Sequence, residues 1–127
     1  MNRGVIRNRE YAQQIRDFSG LQFGSITPTD IDGFVEFGDK VFVFIEGKHG
    51  GASMPHGQRL ALERLCDTVA STGRKAFVIL ISHNTDGDIN YADCPVSKYR
   101  FDGKWAIPAE PITLRAIMDN IRARYVD

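Results

Sequence analysis

The chain has few cysteines and no surplus of charge of either sign. Cys66 and Cys94 are its two cysteines among 127 residues, and they lie far apart and outside any Cys-x-x-Cys pair. We therefore expect reduced thiols and a cytoplasmic protein. A zinc site built from these cysteines and the three histidines lacks the paired spacing that such sites use. Sixteen basic and sixteen acidic residues cancel, so net charge points to no class of partner.

Long apolar runs are also missing. No window reaches the length of a membrane span, and the opening MNRGVIRNRE has no apolar stretch suited to a signal peptide. We expect no membrane partner. The chain is 43% hydrophobic and 25% charged, as ordinary globular proteins are, and its length suits one domain over residues 1–127.

Periodicity predicts alternating helices and strands. The apolar run AFVILIS is typical of a strand buried on both faces. The helix before it can join two parallel strands by a right-handed crossover, so we predict an α/β fold with a mixed sheet. A connector in which a short strand fits, GLQFGSITPTD, follows the first helix. The predicted order is helix 8–18, strands 31–37 and 41–48 turning at Gly38-Asp39, helix 56–71, strand 76–82, strands 96–101 and 104–107, and helix 111–125.

Two charges end the most apolar hairpin strand, which reads VFVFIEGK. Alternate strand residues share a face, so Glu46 and Lys48 lie on the same side. A hairpin that turns at Gly38-Asp39 pairs residues whose numbers sum to about 77. Asp32 then falls opposite Ile45 and Glu46. We therefore expect two carboxylates to converge where the hairpin opens.

This arrangement suits chemistry on phosphate. Two carboxylates and the backbone carbonyl of Gly47 form a hard oxygen site for Mg²⁺ or Mn²⁺. The Lys48 ammonium beside it could activate a metal-bound water or stabilise charge that develops on phosphorus. Hydrolysis of a phosphodiester needs both an activated water and stabilisation of the charge on phosphorus.

Gln58 is the third element of the predicted site. It lies in the first turn of helix 56–71, on the same predicted stripe as Leu62, Leu65 and Val69. A polar side chain there would face the sheet close to Lys48. Its amide could bind a phosphate, a base or the attacking water.

The series Asp32, Glu46-Gly47-Lys48 and Gln58 resembles the PD-(D/E)xK nuclease superfamily, which includes restriction endonucleases, Holliday junction resolvases and the VRR-NUC group. The stretch ITPTDIDGFVEFGDKVFVFIEGKHGG is also similar to small phage proteins of that superfamily. The resemblance covers roughly residues 10–82 and implies a restriction-endonuclease-like αβββαβ core. A C-terminal hairpin and helix would follow that core.

The resemblance also implies roles. Asp32 and Glu46 would be metal ligands together with the Gly47 carbonyl, and Lys48 would be the catalytic lysine. Gln58 would match a helix glutamine of some branches. The implied activity is Mg²⁺- or Mn²⁺-dependent cleavage of DNA, in an enzyme of phage or mobile-element origin. A homodimer would double the small DNA-binding surface.

Some choices stay open. Glu10 would match the acid that other branches carry in their first helix, although its neighbouring arginines also suit a solvated surface or a basic arm that meets phosphates. Asp30 follows Pro28 in the literal Pro-x-Asp pattern, whereas Asp32 has the better spacing. A silent nuclease-fold protein that binds nucleic acid or a protein partner is the alternative function. A module whose charges merely form salt bridges is a third possibility.

Overall fold

A computed structural model of the protein describes residues 19–127. The predicted helix 8–18, with Glu10 in it, lies outside the described residues. Single 3-10 turns form at Ser19–Leu21 and Tyr91–Asp93. The other elements, in chain order, are β1 (Gly33–Phe37), β2 (Val41–His49), α1 (His56–Ala70), β3 (Lys75–His83), β4 (Val96–Phe101), β5 (Lys104–Ala106) and α2 (Leu114–Tyr125).

The five strands form a single mixed sheet in the order β1-β2-β3-β4-β5. β2 and β3 run parallel, and the other neighbours are antiparallel. α1 joins the two parallel strands, as the crossover prediction required. The predicted α/β class with a mixed sheet is confirmed.

The β1–β2 hairpin turns over three residues, not two. Phe37 pairs with Val41, and the turn between them places Gly38 and Asp39 at φ 54° and 63°, a region that glycine and aspartate adopt more readily than most residues. Gly33 pairs with Ile45, so the register is shifted by one residue from the predicted sum. This shift moves Asp32 to the level of Glu46.

The connector before β1 forms one short antiparallel bridge, Phe23 with Ile26. Both side chains are largely exposed, at 69% and 68%, so little burial stabilises a longer pairing there. The αβββαβ order places three strands ahead of the crossover helix, whereas the described chain has β1 and β2 in that position.

Each face of the sheet carries a helix over its own apolar cluster. The α1 face holds Phe44, Leu62, Cys66, Ala76 and Val78. The α2 face holds the larger cluster, which consists of Val41, Val43, Ile45, Phe77, Ile79, Ile81, Cys94, Val96, Leu114 and Ile121. β2 and β3 are therefore covered on both sides, as the apolar run AFVILIS predicted.

The predicted inner stripe of α1 is only partly correct. In α1, Leu65 is 37% exposed and Cys66 is 1% exposed, so the prediction of Leu65 was wrong. Cys66 follows Leu62 by four residues and lies almost directly above it on the helix. In α2, Leu114 and Ile121 are buried, and Ile117 and Met118 pack against the same cluster, at the helical spacing expected of an inner face.

α2 begins three residues later than predicted. The Thr113 hydroxyl accepts a hydrogen bond from the Ala116 N–H at 3.2 Å, which caps the helix there.

Both cysteines are buried free thiols, as expected. Burial raises the pKa of the Cys66 thiol to about 11, which makes it a poor nucleophile at neutral pH. Within residues 19–127, no helix has the length and apolar character that crossing a membrane requires.

Candidate active site

Four polar side chains meet where β1, β2 and α1 come together. We call Asp32, Glu46, Lys48 and Gln58 the strand-end cluster. Glu46 and Lys48 follow Phe42 and Phe44 on the α1 face of β2, because alternate strand residues share a face. Gln58 reaches them from the first turn of α1. The predicted convergence of these residues is confirmed in position.

Glu46 is the buried centre of this cluster, with 4% of its surface exposed. Its Oε1 accepts a hydrogen bond from Gln58 Nε2 at 2.9 Å and lies 3.4 Å from Lys48 Nζ. Its Oε2 is buried, and no group of the described residues forms a hydrogen bond of good geometry with it; the backbone N–H of Asp32 interacts with the carboxyl only weakly. Such an atom is uncommon, since most buried polar atoms find a partner.

The surroundings of Glu46 raise the pKa of its carboxyl. Burial is the largest cause, and the nearby charge of Asp32 adds to it. Three weaker interactions lower the pKa of Glu46: the hydrogen bond from Gln58, the charge of Lys48 and a hydrogen bond from the Asp32 backbone. Burial and the charge of Asp32 outweigh them. The repulsion by Asp32 shows that the two carboxylates are close enough to interact.

Gln58 holds the cluster together. Its Oε1 accepts a hydrogen bond from Lys48 Nζ at 2.9 Å, and its Nε2 donates to Glu46 and, at 3.3 Å, to the backbone carbonyl of Asp30. The orientation of the amide follows from its partners, because the opposite orientation would set NH₂ against an ammonium and oxygen against a carboxylate. The prediction that Gln58 faces the sheet is confirmed.

Asp32 lies one residue before β1, not inside the strand as predicted. Its Oδ2 accepts a hydrogen bond from the Gly47 N–H at 2.8 Å. Asp30 contributes its backbone carbonyl to Gln58 instead. Of the two candidate acids, Asp32 is therefore the one whose carboxylate is bonded to the end of β2.

Position 47 requires glycine because the Tyr91 side chain lies close against it, a contact that the sequence did not reveal. A Cβ at this position would lie 2.8 Å from the Tyr91 hydroxyl oxygen and 3.1 Å from Cζ. The N–H and the C=O of a strand residue point to the same edge, so the Gly47 carbonyl lies on the Asp32 side of β2.

Tyr91 is the functional candidate that sequence reasoning missed. It comes from the 3-10 turn after β3, and its hydroxyl lies 3.5 Å from Asp32 Oδ2. Burial, and then the charges of Asp32 and Glu46, raise the pKa of Tyr91 to about 12. The phenol therefore stays protonated at neutral pH and can donate to Asp32. A glycine inside a strand signals such an approach, but it does not say which residue approaches.

The oxygen donors at this site are two carboxylates and one carbonyl. Among residues 19–127, no three or more His, Cys, Asp or Glu side chains form a group suited to a metal ion. A cation here would thus rely on Asp32, Glu46, the Gly47 carbonyl and water. Mg²⁺ is commonly bound in this way, by one or two carboxylates and several waters.

A second charged cluster lies farther along the same helix. We call Glu63, Asp67, Arg100 and Trp105 the helix-side cluster. Arg100 donates two hydrogen bonds to Asp67, at 3.0 Å and 2.7 Å, and Trp105 Nε1 donates to Glu63 at 2.6 Å. The hydrogen bond and charge of Arg100 hold the pKa of Asp67 below its ordinary value.

The chain matches no protein-family model, no curated protein and no solved structure.

Proposed function

We propose that this protein is a metal-dependent nuclease that hydrolyses DNA phosphodiester bonds, with a restriction-endonuclease-like core of the PD-(D/E)xK type. One observation carries the proposal. Glu46 is buried, its Oε2 has no well-formed hydrogen bond from the described residues, and the charge of Asp32 acts on its carboxyl. A buried carboxyl with a raised pKa beside a specific charged partner is typical of functional sites.

A purely structural salt bridge would be built differently. Buried carboxylates that serve stability have their oxygens bonded and their charge balanced. In the strand-end cluster two acids face one lysine, and a buried oxygen of Glu46 has no well-formed hydrogen bond from residues 19–127. This arrangement lowers stability and is well suited to receive a cation.

The residues fit a divalent metal ion. The charge of Asp32 and the Oε2 of Glu46 would both be stabilised by a cation, and the Gly47 carbonyl offers a further oxygen on the same edge. Mg²⁺ and Mn²⁺ prefer such oxygen donors. When bound, the ion would supply Lewis acidity and lower the pKa of a coordinated water.

Lys48 would stabilise negative charge on the phosphate. Its side chain is 21% exposed, and its ammonium donates a hydrogen bond to Gln58 at 2.9 Å. A preorganised cation of this kind favours a transition state in which charge develops on phosphate oxygens. Gln58 fixes the lysine, and the Gly47 N–H and Tyr91 orient Asp32. These three groups are positioning residues.

The DNA partner and the assembly belong to the proposal as well. Specific protein–DNA contacts usually bury about 1,000–2,500 Å² of protein surface, which is large for a chain of 127 residues. A homodimer would supply more surface and a second cutting site. An origin in a phage or another mobile element rests on the sequence resemblance alone.

A cleavage assay tests the proposal. Purified protein is incubated with Mg²⁺ or Mn²⁺ and with linear, nicked, flapped and four-way DNA. We expect strand cleavage that EDTA stops and that Glu46→Gln or Lys48→Met lowers by at least about 10²-fold, the loss typical when one preorganised stabilising group is removed.

Asp119→Asn is the matched control, because it makes the same acid-to-amide change at an exposed ion pair with Arg115 on α2. It should cleave as the unmodified protein does. Binding of DNA without cleavage of any substrate would favour the silent nuclease-fold alternative. Cleavage that survives both active-site substitutions would overturn the proposed roles of Glu46 and Lys48.

A further inference from the structure

A concave cavity of about 660 Å³ opens beside the strand-end cluster. Lys48 and the loop 50–54 line it. Residues of β3 and β4, together with Arg59 and Ile107, complete the described lining. The volume falls within the range of about 300–1,000 Å³ that is usual for ligand sites.

The charged side chains among the described lining residues of the cavity are all positive. Lys48, Arg59 and Lys98 line it, and none of its described lining residues is acidic. Lys98 is held in place by the ring of Trp105, whose centroid lies 4.8 Å from its ammonium. Lys48 lies 3.4 Å from Glu46 and Arg59 lies 3.6 Å from Glu63, so both are partly neutralised. Lys98 is therefore the cation that contributes most to an anion site here.

The rest of the lining combines apolar and hydroxyl groups. Met54, Leu80 and Ile107 supply apolar contact, and Ile107 is 79% exposed. Ser82 and Ser97 supply hydroxyls. This lining complements a nucleotide, which has a base with apolar faces and polar edges and an anionic phosphate.

A break in the β3–β4 ladder shapes the wall. Leu80 pairs with Lys98 and Ile81 pairs with Val96, so Ser97 is the extra residue of a β-bulge. Its hydroxyl donates to the Leu80 carbonyl at 3.2 Å and keeps its acceptor lone pairs. Bulges commonly redirect side chains next to functional sites.

We propose that this cavity seats one unpaired nucleotide of the substrate strand, next to the phosphodiester at Lys48. The inference rests on the proposed function for the chemistry at Lys48, and it names the substrate class: DNA with a flap, a gap or a frayed end. A base inside a duplex is stacked and paired, and placing it in such a cavity costs unstacking and unpairing that an already single strand avoids.

Binding without metal tests the cavity independently of cleavage. In EDTA, the fluorescence anisotropy of a labelled 12-nucleotide single strand is compared with that of the matching duplex. We expect the single strand to bind at least about fivefold more tightly, because contact with an unpaired base adds affinity. Lys98→Gln should remove about fivefold of this affinity and leave duplex binding unchanged.

Lys104→Gln is the matched control, since Lys104 lies on the same hairpin outside the cavity lining. Ala52→Trp, on the exposed loop, fills the cavity and should abolish the preference for the single strand; its melting temperature checks that the fold is intact. Deoxythymidine monophosphate should compete only weakly. Competition as strong as that of the strand itself would mean a site for free nucleotides and would overturn the inference.

Equal affinity for single strand and duplex, or equal effects of Lys98→Gln and Lys104→Gln, would also overturn it. The two proposals fail separately. Cleavage with no preference for unpaired DNA removes the cavity inference alone, whereas selective single-strand binding with no cleavage in Mg²⁺ or Mn²⁺ removes the nuclease alone.

Discussion

The strand-end cluster and the helix-side cluster both lie between α1 and the sheet, yet the pKa of Glu46 in the first is raised and the pKa of Asp67 in the second is lowered. Burial and the charge of Asp32 raise the pKa of Glu46. Arg100 lowers the pKa of Asp67. The start of α1 thus lies beside a carboxyl whose ionised form is disfavoured. Farther along, the same helix carries a carboxyl whose ionised form is favoured.

The difference lies in how completely the acids are paired. In the helix-side cluster Arg100 forms two bonds to Asp67 and lies 3.8 Å from Glu63, which also receives the Trp105 N–H. In the strand-end cluster a buried oxygen of Glu46 has no well-formed hydrogen bond within the described chain. Opposite charges that lie close together therefore do not by themselves identify a structural ion pair. A structural pair is recognised by hydrogen bonds to all of its buried polar atoms.

The largest expected contrast is in activity. Asp32→Asn should lower DNA cleavage by at least about 10²-fold, because it removes a negative ligand next to Glu46, whereas Asp67→Asn should stay within about threefold. Initial cleavage rates in Mg²⁺ measure both. Asp30→Asn is the neighbouring control, since the site uses only the backbone of Asp30. A greater loss for Asp30→Asn than for Asp32→Asn would transfer the metal-ligand role to Asp30.

The second contrast is in metal-dependent stability. A hundredfold excess of Mg²⁺ or Mn²⁺ over its Kd should raise the free energy of unfolding by about 2.7 kcal/mol. Urea titrations with and without the ion measure the gain. Glu46→Gln should abolish it and Asp67→Asn should keep it. An equal gain in both variants would place the metal elsewhere.

A smaller contrast is in stability without metal. Glu46→Gln removes a buried charge whose Oε2 lacks a well-formed hydrogen bond from the described residues, and it should raise the free energy of unfolding by about 1 kcal/mol. Asp67→Asn breaks the bidentate pair with Arg100 and should lower it by about 1 kcal/mol, a modest value because Asp67 is 43% exposed. Urea unfolding at pH 7 compares them. Destabilisation of the same size in both would make the strand-end cluster structural.

The smallest contrast is in the pH dependence of stability. Above the ordinary pKa of 4.5, folded Glu46 keeps its proton to higher pH than the unfolded chain does, so its contribution to stability falls as pH rises through that window. Asp67 contributes stability above its ordinary value of 3.8, and this contribution is lost as pH falls through the lowered folded pKa.

Each carboxyl can change stability by at most about 1.4 kcal/mol per pH unit. Unfolding free energies of the protein, Glu46→Gln and Asp67→Asn across pH 3 to 7 isolate the two contributions. Slopes of the same sign would contradict the assigned shifts.

Local pattern was enough to predict the strand-end cluster. Strand alternation brings Glu46 and Lys48 to one face, and the helical period brings Gln58 to the sheet. Both depend on residues close in sequence, and the structure confirms them. The predicted pairing of Asp32 with β2 was off by one residue, because the turn has three residues and shifts the register by one.

Pattern failed where tertiary contacts decide. Tyr91 reaches Asp32 across 59 residues, and Asp67 is separated from Arg100 by 33, so no local period reveals either. Leu65 and Cys66 are adjacent candidates for the same helical stripe, and packing on β3 selects the smaller one. The role of Glu10 stays a prediction, since it lies outside the described residues.

The single tryptophan of the chain belongs to the helix-side cluster, where its N–H is bonded to Glu63. Its fluorescence therefore reports on the helix-side cluster. Because its ring also lies 4.8 Å from the Lys98 ammonium, the same indole stands beside the proposed nucleotide cavity. Binding there can be followed by its emission, without an added label.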